Sequence, residues 1–84
     1  MSITGEKFQQ LVDIMARLRG EEGCPWDIEQ THTSLSRHAL EEVYEVIESI
    51  DEGRFNDLPG ELGDLLLQVV FHAQIAADDD RFTI

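Results

Sequence analysis

Five carboxylates stand out by type and spacing: Glu41, Glu42 and Glu45, then Glu61 and Asp64. At 100° per residue, Glu41, Glu42 and Glu45 share one side of a helix, opposite Leu40, Val43, Ile47 and Ile50. Glu61 and Asp64 lie one turn apart on a second helix that is otherwise almost wholly apolar. Two carboxylates from each of two packed helices, facing each other, make a cage of oxygen ligands for a hard cation such as Mg²⁺. Ligands of this kind favour Mg²⁺, Mn²⁺ or Ca²⁺ over zinc. The chain has no EF-hand loop, and where a di-iron bundle carries Glu-x-x-His it carries Glu61-x-x-Asp64. Metals held by clustered carboxylates activate water and neutralise phosphate oxygens during in-line displacement. A spare carboxylate beside the ligands, such as Glu41, can take the water's proton. The residues alone therefore point to Mg²⁺-dependent hydrolysis of a phosphorylated small molecule.

The elements that must position these groups follow from apolar periodicity. A first helix is predicted from about Gly5 to Arg19, with Thr4 as N-cap and Gly20 ending it; Phe8, Leu11, Val12, Met15 and Leu18 form its buried face. This helix reads as scaffold, with Arg17 and Arg19 offsetting its C-terminal dipole or reaching an anion. Gly20 to Thr33 reads as a loop, in which Gly23-Cys24-Pro25-Trp26-Asp27 joins turn formers to a large aromatic. Trp26 either plugs the end of the core or stacks on a ligand. Cys24 reads as a small hydrophobe, and His32 and His38 as surface or capping residues.

The second helix is predicted from Thr33 or Ser34 to about Glu52. Its acidic face, Glu41, Glu45, Glu48 and Glu52, has no Lys or Arg between Ala39 and Glu52 to relieve repulsion. Such a face is usually just solvated. The third helix, from about Leu58 to Ala77 behind Pro59, changes that weighing. Apolar residues cover nearly every direction around it, and Glu61, Asp64, Gln68 and His72 form one polar stripe. Two helices in so short a chain cannot cover it, so packing against a second subunit is expected. A carboxylate on a largely buried helix is costly unless paired or coordinated, and Arg54 is the nearest cation in sequence. His72 reads either as an extension of the site or, the commoner case, as a hydrogen-bonded interior histidine, and Gly63 as either a tolerated glycine or a point of close approach.

Eighty-four residues allow one small domain, which oligomerisation or a metal would help to stabilise. The net charge of −12 argues against polymeric nucleic acid or an anionic membrane as partner. One cysteine excludes an internal disulfide. The opening residues do not resemble a signal peptide, and the apolar run from Leu65 to Ala77 is too short to span a bilayer, so a soluble cytoplasmic protein is expected.

At these residues the sequence resembles the MazG family of all-α nucleoside triphosphate pyrophosphohydrolases, whose signature is Glu-Glu-x-x-Glu followed by Glu-x-x-Asp. Here it stands as Glu41-Glu42-Val43-Tyr44-Glu45 and Glu61-Leu62-Gly63-Asp64, and the likeness extends through Gly23-Cys24-Pro25-Trp26-Asp27, Gln30-Thr31-His32 and the run from Gly60 to Ala73. The resemblance implies an all-α bundle of three main helices completed by dimerisation, as a dimer or a dimer of dimers. It implies hydrolysis of an NTP or dNTP between the α and β phosphates to NMP and pyrophosphate. It makes Glu42, Glu45, Glu61 and Asp64 ligands of Mg²⁺, with Mn²⁺ as a substitute, and Glu41 the residue that orients or deprotonates water. Trp26 and Gln30 become contacts to the nucleotide. Residues 1–84 read as one such domain, resembling the first copy in two-domain members. In longer members a Lys- and Arg-rich helix follows, and this chain ends about where that helix would start. A rival expectation is a non-catalytic, metal-binding helical module for dimerisation or assembly.

Overall fold

The computed structural model describes residues 2–84 as four helices in the order α1 (Ile3–Leu18), α2 (Pro25–Glu29), α3 (His32–Asp51) and α4 (Leu58–Asp78). The fold is all-α, with no strand among the described residues. α4 is the central element: it packs against both α3 and α1. The core lies where the three meet, from Met15 on α1, Leu35 on α3 and Val70, Phe71 and Ile75 on α4, with Leu11 and Val12 packed against it.

Capping sets where each helix begins. α1 starts earlier than its apolar pattern predicts, because the Ser2 hydroxyl accepts from the Gly5 N–H at 3.0 Å and leaves Thr4 inside the helix. α3 starts at His32 because Thr31 and Ser34 form a reciprocal capping box. The region between α1 and α3 is not wholly loop: Pro25 at its first turn opens the five-residue α2. That segment folds tightly back on the end of α1. The Cys24 N–H donates to the Leu18 carbonyl at 2.8 Å, and a Cβ at Gly23 would lie 2.2 Å from the same oxygen, so only glycine fits.

α3 ends in a Schellman turn. Gly53 takes φ +70°, its N–H reaches the Ile50 carbonyl at 3.1 Å, and the Arg54 N–H reaches the Ser49 carbonyl at 2.8 Å. The short connection to α4 makes the two helices antiparallel neighbours. Arg54 pairs with Glu52 at 2.7 Å and with Asp57 at 3.3 Å, within that connection.

The face that α3 turns to α4 differs from its most apolar face. Leu35 and Ser49 are fully buried, with Ala39, Glu42 and Val46 partly buried between them along the same seam. Leu40, Val43, Ile47 and Ile50 are instead 40–54% exposed. Leu62, Leu66 and Val69 on α4 are exposed too, so the burial expected for the N-terminal half of α4 is not supplied within one chain. Gly63 has open space around it.

At the far end of the seam His32 and His72 approach to 2.7 Å between their Nδ1 atoms, with ring planes 5° apart and centroids 5.0 Å apart. Parallel planes cannot be farther apart than their closest atoms, and 2.7 Å is well inside the roughly 3.5 Å of a face-to-face contact. The rings therefore meet edge to edge through one Nδ1–H···Nδ1 hydrogen bond, in which one Nδ1 carries the proton and the other must be unprotonated to accept it. Burial, and secondarily His32, hold His72 below the usual histidine value.

Two predictions follow from this packing. The Ser49 hydroxyl is buried with no hydrogen-bond partner. Ser49→Ala therefore stabilises the fold by about 1 kcal/mol, from removal of an orphaned polar group and better helix propensity; thermal melts at matched protein concentration read this as a rise of several degrees. Because the folded chain holds His72 neutral, it binds fewer protons than the unfolded chain. The histidine's contribution is complete above the unfolded value near 6.5 and is lost as pH falls through the lower folded value. Glu42 and Glu61, raised in the fold, act in the opposite sense in acid. The stability gap between wild type and His72→Gln isolates the histidine, and it narrows as pH falls from 7 to 5 in urea titrations.

Candidate metal centre

The α3–α4 hairpin brings together the four carboxylates expected to act as ligands. One oxygen from each of Glu42, Glu45, Glu61 and Asp64 lies within 4.8 Å of all the others. Glu42 and Glu61 are partly buried in the seam, while Glu45 and Asp64 sit at its open side. On each helix the pair is separated by three residues, so both members project to the same side one turn apart.

The electrostatics of this cluster are unfavourable as they stand. Glu42 is raised from the ordinary glutamate value, first by burial and then by the charges of Glu45, Asp64 and Glu41; His38 opposes the shift. Glu61 is also raised, chiefly by a shared hydrogen bond with Glu45, then by burial and by the charges of Glu45, Asp64 and Glu42. Arg54 does not relieve them, being engaged with Glu52 and Asp57. One oxygen each of Glu42 and Glu61 is buried without a hydrogen-bond partner.

Those orphaned oxygens test whether the site fits a cation. Opposite oxygens around octahedral Mg²⁺ stand about 4.2 Å apart, twice the ~2.1 Å bond. A set whose members all lie within 4.8 Å of one another is of the size that such a shell spans. The donors are all carboxylate oxygens, which suits a hard divalent ion. The four residues fit a metal of the Mg²⁺ class.

Glu41 projects beside the cluster, largely exposed, with its carboxylate 3.9 Å from His38 Nδ1. His38 was not singled out by sequence pattern, since a lone histidine on a helix carries no spacing signal. Its position places it between the acid cluster and the aromatic loop: the Trp26 ring meets His38 edge-on at 6.4 Å and Phe71 edge-on at 6.2 Å. Phe71 is buried, whereas Trp26 is 53% exposed, so the indole rests one edge on the core and leaves surface open. The two sequence alternatives for Trp26, core plug and ligand platform, are thus compatible.

Gln30 lies at the end of α2 with both ends of its amide engaged. Its Nε2 donates to the Trp26 carbonyl at 3.0 Å, and its Oε1 accepts from the Ser34 hydroxyl at 2.7 Å. It braces α2 against the start of α3. Gln68, on the polar stripe with Glu61 and Asp64, is partly buried and carries an unpartnered Oε1. It was visible in sequence as a member of the stripe but not as a group lacking a partner.

This arrangement coincides with a recognisable sequence family. Residues 30–84 match the model of the MazG nucleotide pyrophosphohydrolase domain. The whole chain is 55% identical over 84 residues to a Thermotoga maritima protein named nucleoside triphosphate pyrophosphohydrolase/pyrophosphatase MazG, covering 33% of that protein. It is 53% identical over 77 residues to the Escherichia coli K12 nucleoside triphosphate pyrophosphohydrolase, covering 29% of it. It is 50% identical over 78 residues to the uncharacterized Bacillus subtilis protein YabN, covering 16% of it. The chain therefore spans a third or less of the length of these relatives. With the matched region running from the loop through both carboxylate-bearing helices, the chain belongs to the MazG nucleotide pyrophosphohydrolase domain family.

Proposed function

We propose that this domain is a Mg²⁺-dependent nucleoside triphosphate pyrophosphohydrolase, which hydrolyses NTPs or dNTPs between the α and β phosphates to NMP and pyrophosphate. The observation that carries this is the four-carboxylate cluster with two orphaned buried oxygens. Glu42, Glu45, Glu61 and Asp64 hold the metal, for which Mn²⁺ can substitute. A bound divalent ion supplies neutralisation of phosphate charge and a lowered pKa for water. Glu41, outside the ligand set and open to solvent, orients the attacking water and accepts its proton. Trp26 offers its open surface to the base, and Gln30 fixes the loop that presents it. The acid cluster and the net charge of −12 repel an uncomplexed triphosphate, so substrate arrives as its metal complex.

The active form we infer is a homodimer, or a dimer of dimers, in which a second copy covers Leu40, Val43, Ile47 and Ile50 of α3 and the exposed leucines of α4. No helix among the described residues is long and apolar enough to cross a membrane, and the cytoplasm is the proposed location. The same exposed apolar face favours a second reading, in which the domain binds metal but serves mainly in assembly.

One experiment decides between them, and a second tests the interface that both share. Pyrophosphate release from a panel of NTPs and dNTPs, with Mg²⁺ and with chelator, is expected to be metal-dependent and to fall at least about 100-fold in Glu45→Gln with helicity retained. Metal-independent release, or full activity in the variant, contradicts the site; Mg²⁺ binding without turnover selects the assembly reading. Ile47→Asp places a charge in the proposed interface and is expected to shift a sedimenting dimer to monomer at micromolar concentration. An unchanged sedimentation coefficient would remove that face from the interface.

A further inference from the structure

The role of Arg19 reaches beyond the end of α1, where sequence places it. Its side chain is only 10% exposed, and its donors are divided between two elements, α4 and the exit of α2. Nε donates to Asp78 Oδ2 on α4 at 2.8 Å. One terminal nitrogen, Nη1, donates to the backbone carbonyls of Asp27 at 2.6 Å and Gln30 at 2.9 Å, the exit of α2. The guanidinium carbon also stands 5.9 Å from the centroid of the Phe71 ring. Phe71 is thus shared by Arg19 and by the edge of Trp26.

A five-residue helix has no independent stability, because nucleation costs more than so few hydrogen bonds return. α2 contributes no fully buried residue to the core. Its position is set by polar anchors: the Cys24 N–H on Leu18, the Gln30 brace, and the Arg19 fork on its last carbonyls. The fork is the anchor that joins α2 to both α1 and α4. Its fixed planar geometry suits divergent acceptors, which a lysine ammonium on a flexible stem does not reproduce.

We propose that Arg19 is a positioning residue for the nucleotide: by clamping the α2 exit it holds Trp26 edge-on to Phe71 and His38, next to the acid cluster. This rests on the assignment of Trp26 as the base contact, but the clamp itself can be tested without nucleotide. Trp26 is the single tryptophan of the chain, so its emission and its quenching by acrylamide report α2 directly. In Arg19→Gln and, more mildly, Arg19→Lys, emission is expected to shift to the red and the quenching constant to rise about twofold, with far-UV helicity retained. Asp78→Asn takes the charge out of the tie to α4 and so weakens it, keeps both carbonyl bonds, and its emission is expected to match wild type. With an NTP and Mg²⁺, the Arg19 variants are expected to raise KM about tenfold, the size of one lost charge-assisted hydrogen bond, with kcat within about twofold.

Wild-type emission and quenching in Arg19→Lys and Arg19→Gln would overturn the clamp; Arg19→Lys alone decides if Arg19→Gln fails to fold. Equal changes in Asp78→Asn would also overturn it, by making Arg19 a general tie between α1 and α4. Trp26→Ala with unchanged KM would remove the base contact and leave the emission result to judge the clamp by itself.

Discussion

Four carboxylates held within 4.8 Å of one another are the constraint around which this small domain is arranged. Left to themselves they repel, and burial of Glu42 and Glu61 in the seam makes the charged state harder still to keep. The backbone does not allow them to separate. α3 and α4 are joined by a short connection closed by the Schellman turn at Gly53 and locked at the far end by the His32–His72 bond. The hairpin is thus fastened at both ends with its repulsive groups in the middle. A fold that confines like charges is poised to bind a divalent cation, because the binding energy includes relief of that strain.

The same constraint explains the odd distribution of apolar surface. The seam of α3 is Leu35, Ala39, Glu42, Val46 and Ser49, a set with two polar residues and a small alanine that buries little apolar area. Its better apolar stripe is consequently left outside. In the single chain that stripe faces water, an exposed apolar surface of the kind that marks interaction sites.

Around the acid cluster stands a second, quite different construction. α2 and its flanks have little buried area and are held by hydrogen bonds from Arg19, Gln30 and Ser34 to backbone and side-chain oxygens. The clustered carboxylates thus sit on long helices, while Trp26 sits on a short element whose pose depends on a few polar contacts. Rigid placement matters most where coordination distances are fixed to tenths of an ångström, and an aromatic stacking surface tolerates more.

Sequence by itself determined the helical class, the two carboxylate-bearing helices and the pairing of Glu42 with Glu45 and of Glu61 with Asp64 on one side of each, because helical periodicity puts residues three apart on one side whatever the tertiary context. It also marked His72 as interior and hydrogen-bonded, from its place on the polar stripe. It misplaced helix starts by one or two residues, since Ser2 and Thr31 cap through side-chain geometry that competes with neighbouring Thr and Ser candidates. It read α2 as loop, because five residues carry no period. Only the tertiary structure decided that the seam of Leu35, Ala39, Glu42, Val46 and Ser49, lying between the acidic face and the apolar stripe of α3, meets α4. Only it paired His32 with His72 across forty positions, and carried Arg19 to the carbonyls of α2 and the carboxylate of Asp78. These are contacts between elements, fixed by how helices pack and not by the local propensities a sequence displays.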